Sequence, residues 1–311
     1  MKPILLSNAS REFQTRPERA DEKSNTSRPN TRQALSSGFQ NIMPMKRNAQ
    51  SLEAFRLNTT VAEEVGMIEE HIDIQTEDGL MNSFIVFPAE DGPHPVIFFY
   101  MDAPGKREEL HDMARRLASA GYFVVLPNLF YRSSRDFYLQ SRTPEALELM
   151  YAYMNTLNAK TSYTDTQAML QFTDQHAMAD QARIGAVGYC MSGPIVVWAA
   201  AQFQDRFASI ASVHGANMAT SAPDSPHHMA AKLKCECYFA CAQIDRWASA
   251  ADIEKLEASL VAAKVNYTLE WFAQVEHGFV FPKREGIYNA PAAERHWEKL
   301  FQLFERTIKS R

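Results

Sequence analysis

Ile184-Gly185-Ala186-Val187-Gly188-Tyr189-Cys190-Met191-Ser192-Gly193-Pro194 is an apolar run that breaks on a cysteine flanked by small residues. It reads as a strand turning sharply into a helix. A nucleophile on such a turn needs small neighbours, because the backbone there is strained and crowded. Gly188 lies two residues before Cys190, and Ser192 and Gly193 lie two and three after it. The cysteine then stands at a helix N-terminus, where the dipole favours thiolate and backbone N–H groups can hold an oxyanion. Pro194 falls in the first helical turn, where a missing N–H costs little. The alternative is a small buried cysteine in a tight turn. A phosphate loop would share the Gly188 to Gly193 spacing, but Pro194 stands where lysine is required, and no Gly-x-Gly-x-x-Gly is present.

Working outward, residues 69–75 and 82–87 read as two strands joined at Asp78-Gly79, a hairpin. Val96-Ile97-Phe98-Phe99-Tyr100 is a continuous apolar run, expected of a strand buried on both faces. Beyond it helices alternate with strands. Helices are expected over 108–120, 144–158, 165–179, 192–203, 250–263 and 292–308, and strands over 122–126, 183–189, 207–213, 235–241 and 266–272. An antiparallel pair followed by this alternation implies an α/β fold, a mainly parallel sheet with helices on both faces. No internal repeat or second core is evident, so residues 66–311 are expected to form one domain.

The 311 residues carry four cysteines, too few for a disulfide scaffold. A net charge of −5 gives no reason to expect nucleic acid as a partner. Apolar stretches are strand-sized or broken by charge, so no membrane span is expected. Met1 to Ser10 hold only a short apolar patch, unlike a secretory signal, which points to a cytoplasmic protein. Residues 1–60 carry ten Lys/Arg against five Asp/Glu, whereas the remainder is net −10. A basic Ser/Asn/Thr/Arg-rich head buries too little apolar surface to offset its ordering entropy. Residues 1–65 are therefore expected to be a disordered tail. A docking arm, or a natural start at Met67, are the other readings of this segment.

A cysteine nucleophile needs a base and an acid that orients it. Asp245 follows the 235–241 strand, and His277 follows the 266–272 strand, in the chain order nucleophile, acid, histidine. His277 would take the thiol proton and return one to the leaving oxygen, while Asp245 would fix the imidazole tautomer. Taken singly, each has a plain reading, as a cap or an exposed loop residue.

These residues resemble the dienelactone hydrolase family, the carboxymethylenebutenolidase-like branch of the α/β hydrolases. The resemblance rests on Gly188-Tyr189-Cys190-Met191-Ser192-Gly193, Ala242-Gln243-Ile244-Asp245, Glu276-His277-Gly278-Phe279 with Ala292-Ala293-Glu294-Arg295, and Pro127-Asn128-Leu129-Phe130-Tyr131-Arg132, and it covers about residues 67–311. It implies an α/β-hydrolase fold and hydrolysis of a small ester or lactone through an acyl-enzyme, with no metal or cofactor. It further implies an oxyanion hole from the Ala103 and Met191 backbone N–H groups. Asp102 falls where the family has a glutamate that meets the cysteine. Arg132 matches an arginine that holds the substrate carboxylate, but the family's second such arginine is Phe281 here, with Lys283 and Arg284 nearby. One guanidinium holds a carboxylate less well than two, so the departure weakens a dienelactone substrate without weakening hydrolysis. His214 takes a position where the family often has tyrosine, and is read as a substrate contact or a structural histidine.

Trp247 is expected to wall the pocket, together with some of Phe130, Tyr131, Phe137 and Tyr138. Cys235, Cys237 and Cys241 alternate along a strand, which suits packing rather than zinc. The expected protein is a monomer or homodimer acting on a small molecule. Its rivals are a thioesterase or broad carboxylesterase, and a fold-retaining binding protein without catalysis.

Overall fold

The computed structural model describes residues 66–309, so the expected tail over 1–65 lies outside the described residues. Eight strands form one sheet: β1 (Met67–Thr76), β2 (Gly79–Pro88), β3 (His94–Tyr100), β4 (Phe123–Pro127), β5 (Ala179–Tyr189), β6 (Phe207–Val213), β7 (Glu236–Ile244) and β8 (Tyr267–Glu276). Their spatial order is β1-β2-β4-β3-β5-β6-β7-β8. The β1–β2 and β2–β4 pairs are antiparallel, and every pair from β4 to β8 is parallel. The hairpin closes on Thr76, whose hydroxyl donates to the Gly79 carbonyl and accepts from the Asp78 N–H.

Among the described residues the α-helices are α1 (Glu108–Ala118), α2 (Pro144–Met154), α3 (Ala159–Gln175), α4 (Gly193–Gln202), α5 (Ala250–Ala262) and α6 (Ala290–Phe304). None among the described residues is long and apolar enough to cross a membrane. β3, β4 and β6 are buried along essentially their whole length, which is why they read as unbroken apolar runs. The core continues through α4 and the inner faces of α1 and α6.

Three expectations need correction. α3 begins six residues earlier than the apolar period suggested, because Asn158 and Thr161 form a reciprocal capping box that starts the helix inside a polar stretch. Pro226–Lys232 forms a short 3-10 helix where neither helix nor strand was expected. β7 and β8 run on to Ile244 and Glu276 through an irregularity between Ala242 and Ile244, so their ends are exposed and invisible to an apolar pattern. That extension matters, because it places Asp245 and His277 at adjacent strand ends.

Candidate active site

Cys190 is the first residue after β5 and has φ +56°, a left-handed conformation that is costly for a residue with a side chain. The bend is possible because Gly188 and Gly193, two residues before it and three after, lack a Cβ. A Cβ on Gly188 would stand 2.3 Å from the Ser192 carbonyl oxygen, and one on Gly193 would stand 2.5 Å from the Gly215 Cα. Gly188→Ala is therefore expected to destabilise the fold by about 3 kcal/mol, the upper part of the range for overpacking. Denaturant unfolding measures this, and an unchanged midpoint would refute the steric account.

The buried Ser192 hydroxyl donates to the Met101 carbonyl at 2.5 Å, tying the elbow to the loop after β3. That loop carries Asp102 and Ala103. Met191 is the second residue of the 3-10 turn Cys190–Ser192, so its N–H is one of the orphan donors of a helix start. The Ala103 N–H has no backbone partner among the described residues.

His277 donates from Nδ1 to Asp245 Oδ2 at 2.7 Å. The other Asp245 oxygen accepts the Trp247 N–H at 2.8 Å, and the His277 N–H reaches the Ile244 carbonyl at 3.3 Å. The carboxylate is thus fixed at both oxygens and is 2% exposed. His277 Nε2 is buried with no hydrogen-bond partner among the described residues, and Cys190 is the group that acts on this imidazole most strongly after burial. Long catalytic hydrogen bonds are usual before substrate binds. The thiol itself is only partly buried.

The electrostatics favour an ion pair. Burial would lower the imidazole pKa, but Cys190 and then Asp245 outweigh it, and His277 is pushed up to about 9. Burial would raise the thiol pKa, yet His277 outweighs that too. Asp102 opposes and Arg284 assists, and the thiol ends below its ordinary value.

Each residue expected at the site has a definite place. Cys190, Asp245 and His277 come together, with Ala103 and Met191 on the two loops beside them. His214 is 1% exposed, and its ring meets His277 edge-on at a centroid distance of 4.7 Å. Both its nitrogens lack partners among the described residues, and burial, followed by His277, holds its pKa well below the usual histidine value. Trp247 packs on Tyr151 of α2 at 6.3 Å. Leu139 donates its N–H to the Pro104 carbonyl at 2.8 Å. The stretch between β4 and α3 therefore meets both the loop of Ala103 and the loop of Asp245. Within it Phe130 is core, Phe137 is partly buried and Tyr138 is exposed.

Two expectations do not match the geometry. The Arg132 guanidinium is engaged by the carboxylates of Asp165 and Asp78, each at 2.7 Å, with Asp165 1% exposed. A buried acid requires a partner, and this one holds the arginine away from ligand duty. Arg132→Ala is expected to destabilise the protein by about 3 kcal/mol, as removing one partner of a buried pair does. Thermal unfolding of the variant checks this. Phe281 is 0% exposed, so it is core rather than a substrate-facing wall. Asp102, also 0% exposed, is clamped by Arg107 at 2.5 Å and Arg284 at 2.7 Å. Sequence reading missed Arg107 altogether, since a helix-entry arginine beside Glu108-Glu109 carries no local sign of a distant partner. Cys235, Cys237 and Cys241 are buried, as strand packing requires.

The profile of the dienelactone hydrolase family matches residues 81–308. A Synechocystis sp. protein provisionally named a carboxymethylenebutenolidase is 24% identical over 76% of this chain and 96% of its own. The Pseudomonas putida carboxymethylenebutenolidase is 26% identical over 45% of this chain and 59% of its own. Among solved structures, a dienelactone hydrolase-like promiscuous phosphotriesterase from metagenomic libraries superposes with a TM-score of 0.65 at 17% identity, covering 78% of this chain and 99% of that one. At that identity the likeness speaks for the fold alone.

Proposed function

This chain belongs to the dienelactone hydrolase family and is a hydrolase acting on an ester or lactone, and from that premise we propose that Cys190 is its nucleophile, working through an acyl-enzyme. The observation that carries this reading is the imidazole held by Asp245 at 2.7 Å beside a thiol on a left-handed elbow. Cys190 attacks the acyl carbon, and negative charge builds on the carbonyl oxygen. The Ala103 and Met191 N–H groups stabilise that charge. His277 gives its proton to the leaving oxygen, then takes one from water, whose oxygen displaces the thiolate and releases the acid. Asp245 keeps Nδ1 protonated throughout and stabilises the imidazolium. A vestigial site would have no reason to keep the elbow strain or the paired carboxylate. The same reading includes a small-molecule substrate and a cytoplasmic monomer or homodimer.

The substrate class is tested with a panel of short esters and lactones in matched pairs, with and without a carboxylate. Arg132→Ala is expected to lower kcat/KM for both members of each pair by the same factor, because its guanidinium already serves Asp165 and Asp78. A loss confined to the carboxylated members would restore the carboxylate-clamp role for Arg132.

A further inference from the structure

The loop that carries His277 and the loop that carries Ala103 are joined by a closed ring of four charged side chains. Arg284 donates to Asp102 Oδ2 at 2.7 Å. Arg107 donates to Asp102 Oδ1 at 2.5 Å, to the Gly105 carbonyl at 3.1 Å, and to Glu109 at 2.7 Å. Glu109 in turn accepts the Lys283 N–H at 2.8 Å, which returns the ring to the residue before Arg284. Two arginines and two acids balance. Both guanidinium groups lie over the Phe281 ring, at 5.3 and 4.6 Å from its centroid, in cation–π contact.

The path of Arg284 is cut into the backbone. Gly278, next to His277, has φ +91°, and a Cβ there would stand 1.9 Å from an Arg284 guanidinium nitrogen. The arginine therefore crosses the chain at the residue following the imidazole and ends on the residue preceding Ala103.

We propose that Arg284 is a positioning residue that pins the His277 loop to the Asp102–Ala103 loop and supplies positive charge toward the Cys190 sulfur; the catalytic part of this rests on the cysteine-hydrolase reading. The charged groups facing that sulfur are His277 from the loop after β8, Asp102 from the loop after β3, and Arg284. His214, at the end of β6, lies against His277 and is neutral, and Arg107 is bound to Asp102. Without the Arg284 charge, Asp102 keeps one guanidinium instead of two, and both changes disfavour the thiolate. The sign is therefore upward for the thiol pKa.

The test compares the full-length wild type with Arg284→Met and Arg284→Lys. The rate of Cys190 alkylation by iodoacetamide is followed against pH by peptide mapping, alongside steady-state hydrolysis of an aryl acetate and thermal melting. In Arg284→Met the alkylation midpoint is expected to rise by about one pH unit, the size of one nearby charge at an effective dielectric constant of about 20. kcat is expected to fall about 10- to 100-fold with KM changed less than about threefold, the pattern of a lost transition-state geometry. Arg284→Lys keeps the charge and is expected to return the midpoint to the wild-type value while recovering kcat in part. If Arg284→Met does not fold, Arg284→Gln provides the same charge comparison. A folded charge-removing variant with the wild-type midpoint overturns the proposal, whether or not its melting temperature drops. A wild type that hydrolyses nothing sinks the cysteine-hydrolase reading instead, and the alkylation midpoint still reads the effect of Arg284.

Discussion

Cys190→Ala is expected to lower kcat for ester hydrolysis by about 10⁴-fold or more while leaving the fold intact, because a unit of nucleophile and base fails as a whole when the nucleophile is removed. The substitution deletes one sulfur from a partly buried position. It also leaves the strained backbone in place, so the melting temperature is expected to move by only a few degrees. Stoichiometric alkylation of the wild-type thiol is expected to have the same effect on rate. The other three cysteines are buried and should react slowly, and burial pushes Cys241 up to about 12. Intact-mass measurement of the alkylated protein against residual activity makes the comparison. Full activity after complete labelling of Cys190, or hydrolysis by Cys190→Ala at the wild-type rate, would remove the cysteine from the mechanism.

The second large effect is expected at Asp245. Asp245→Asn keeps the shape of the side chain but offers an amide where His277 Nδ1 now finds a carboxylate at 2.7 Å. A loss in kcat of about 10⁴-fold is the scale for holding an imidazole in the wrong tautomer. The pH profile carries the sign. In the wild type the thiolate–imidazolium pair exists above the lowered thiol pKa and below about 9, where His277 loses its proton. Activity should therefore rise through the acid limb as the thiolate forms, and fall above about 9 as the general acid is lost. Removing the Asp245 charge destabilises the imidazolium, so the alkaline limb should move to lower pH. The thiolate then loses its counter-charge, so the acid limb should move up and the bell should narrow from both sides. A profile of kcat/KM against pH for the two proteins checks this, and limbs that stay in place would mean that the carboxylate does not govern the imidazole.

The elbow was legible because its cause is local. Gly188 and Gly193 are required by collisions within a few residues of Cys190 or with the neighbouring strand end, and a sharp turn of this kind leaves few residue choices. The strand order of chemistry was legible for a related reason. Parallel strands bring every following loop to one edge, so Asp245 and His277 needed only to follow their strands to meet. The start of α3 was not legible from apolar spacing, because a capping box built from Asn158 and Thr161 began the helix before the apolar period did. Phe281 was read as a gap in the substrate site, but its ring is a buried platform for two arginines.

By itself, then, the chain specified alternating strands and helices, the bend at Cys190, and a histidine and an acid in the right order, since apolar period and short-range sterics act between near neighbours. Only the tertiary structure decided what the charges do. Arg284 meets Asp102 across 182 residues and Arg132 meets Asp165 across 33, while Glu109 takes the Lys283 backbone N–H across 174. An ion pair leaves no mark on the sequence around either partner. It forms where separate loops arrive at the same desolvated place, and there each buried acid requires whichever guanidinium reaches it.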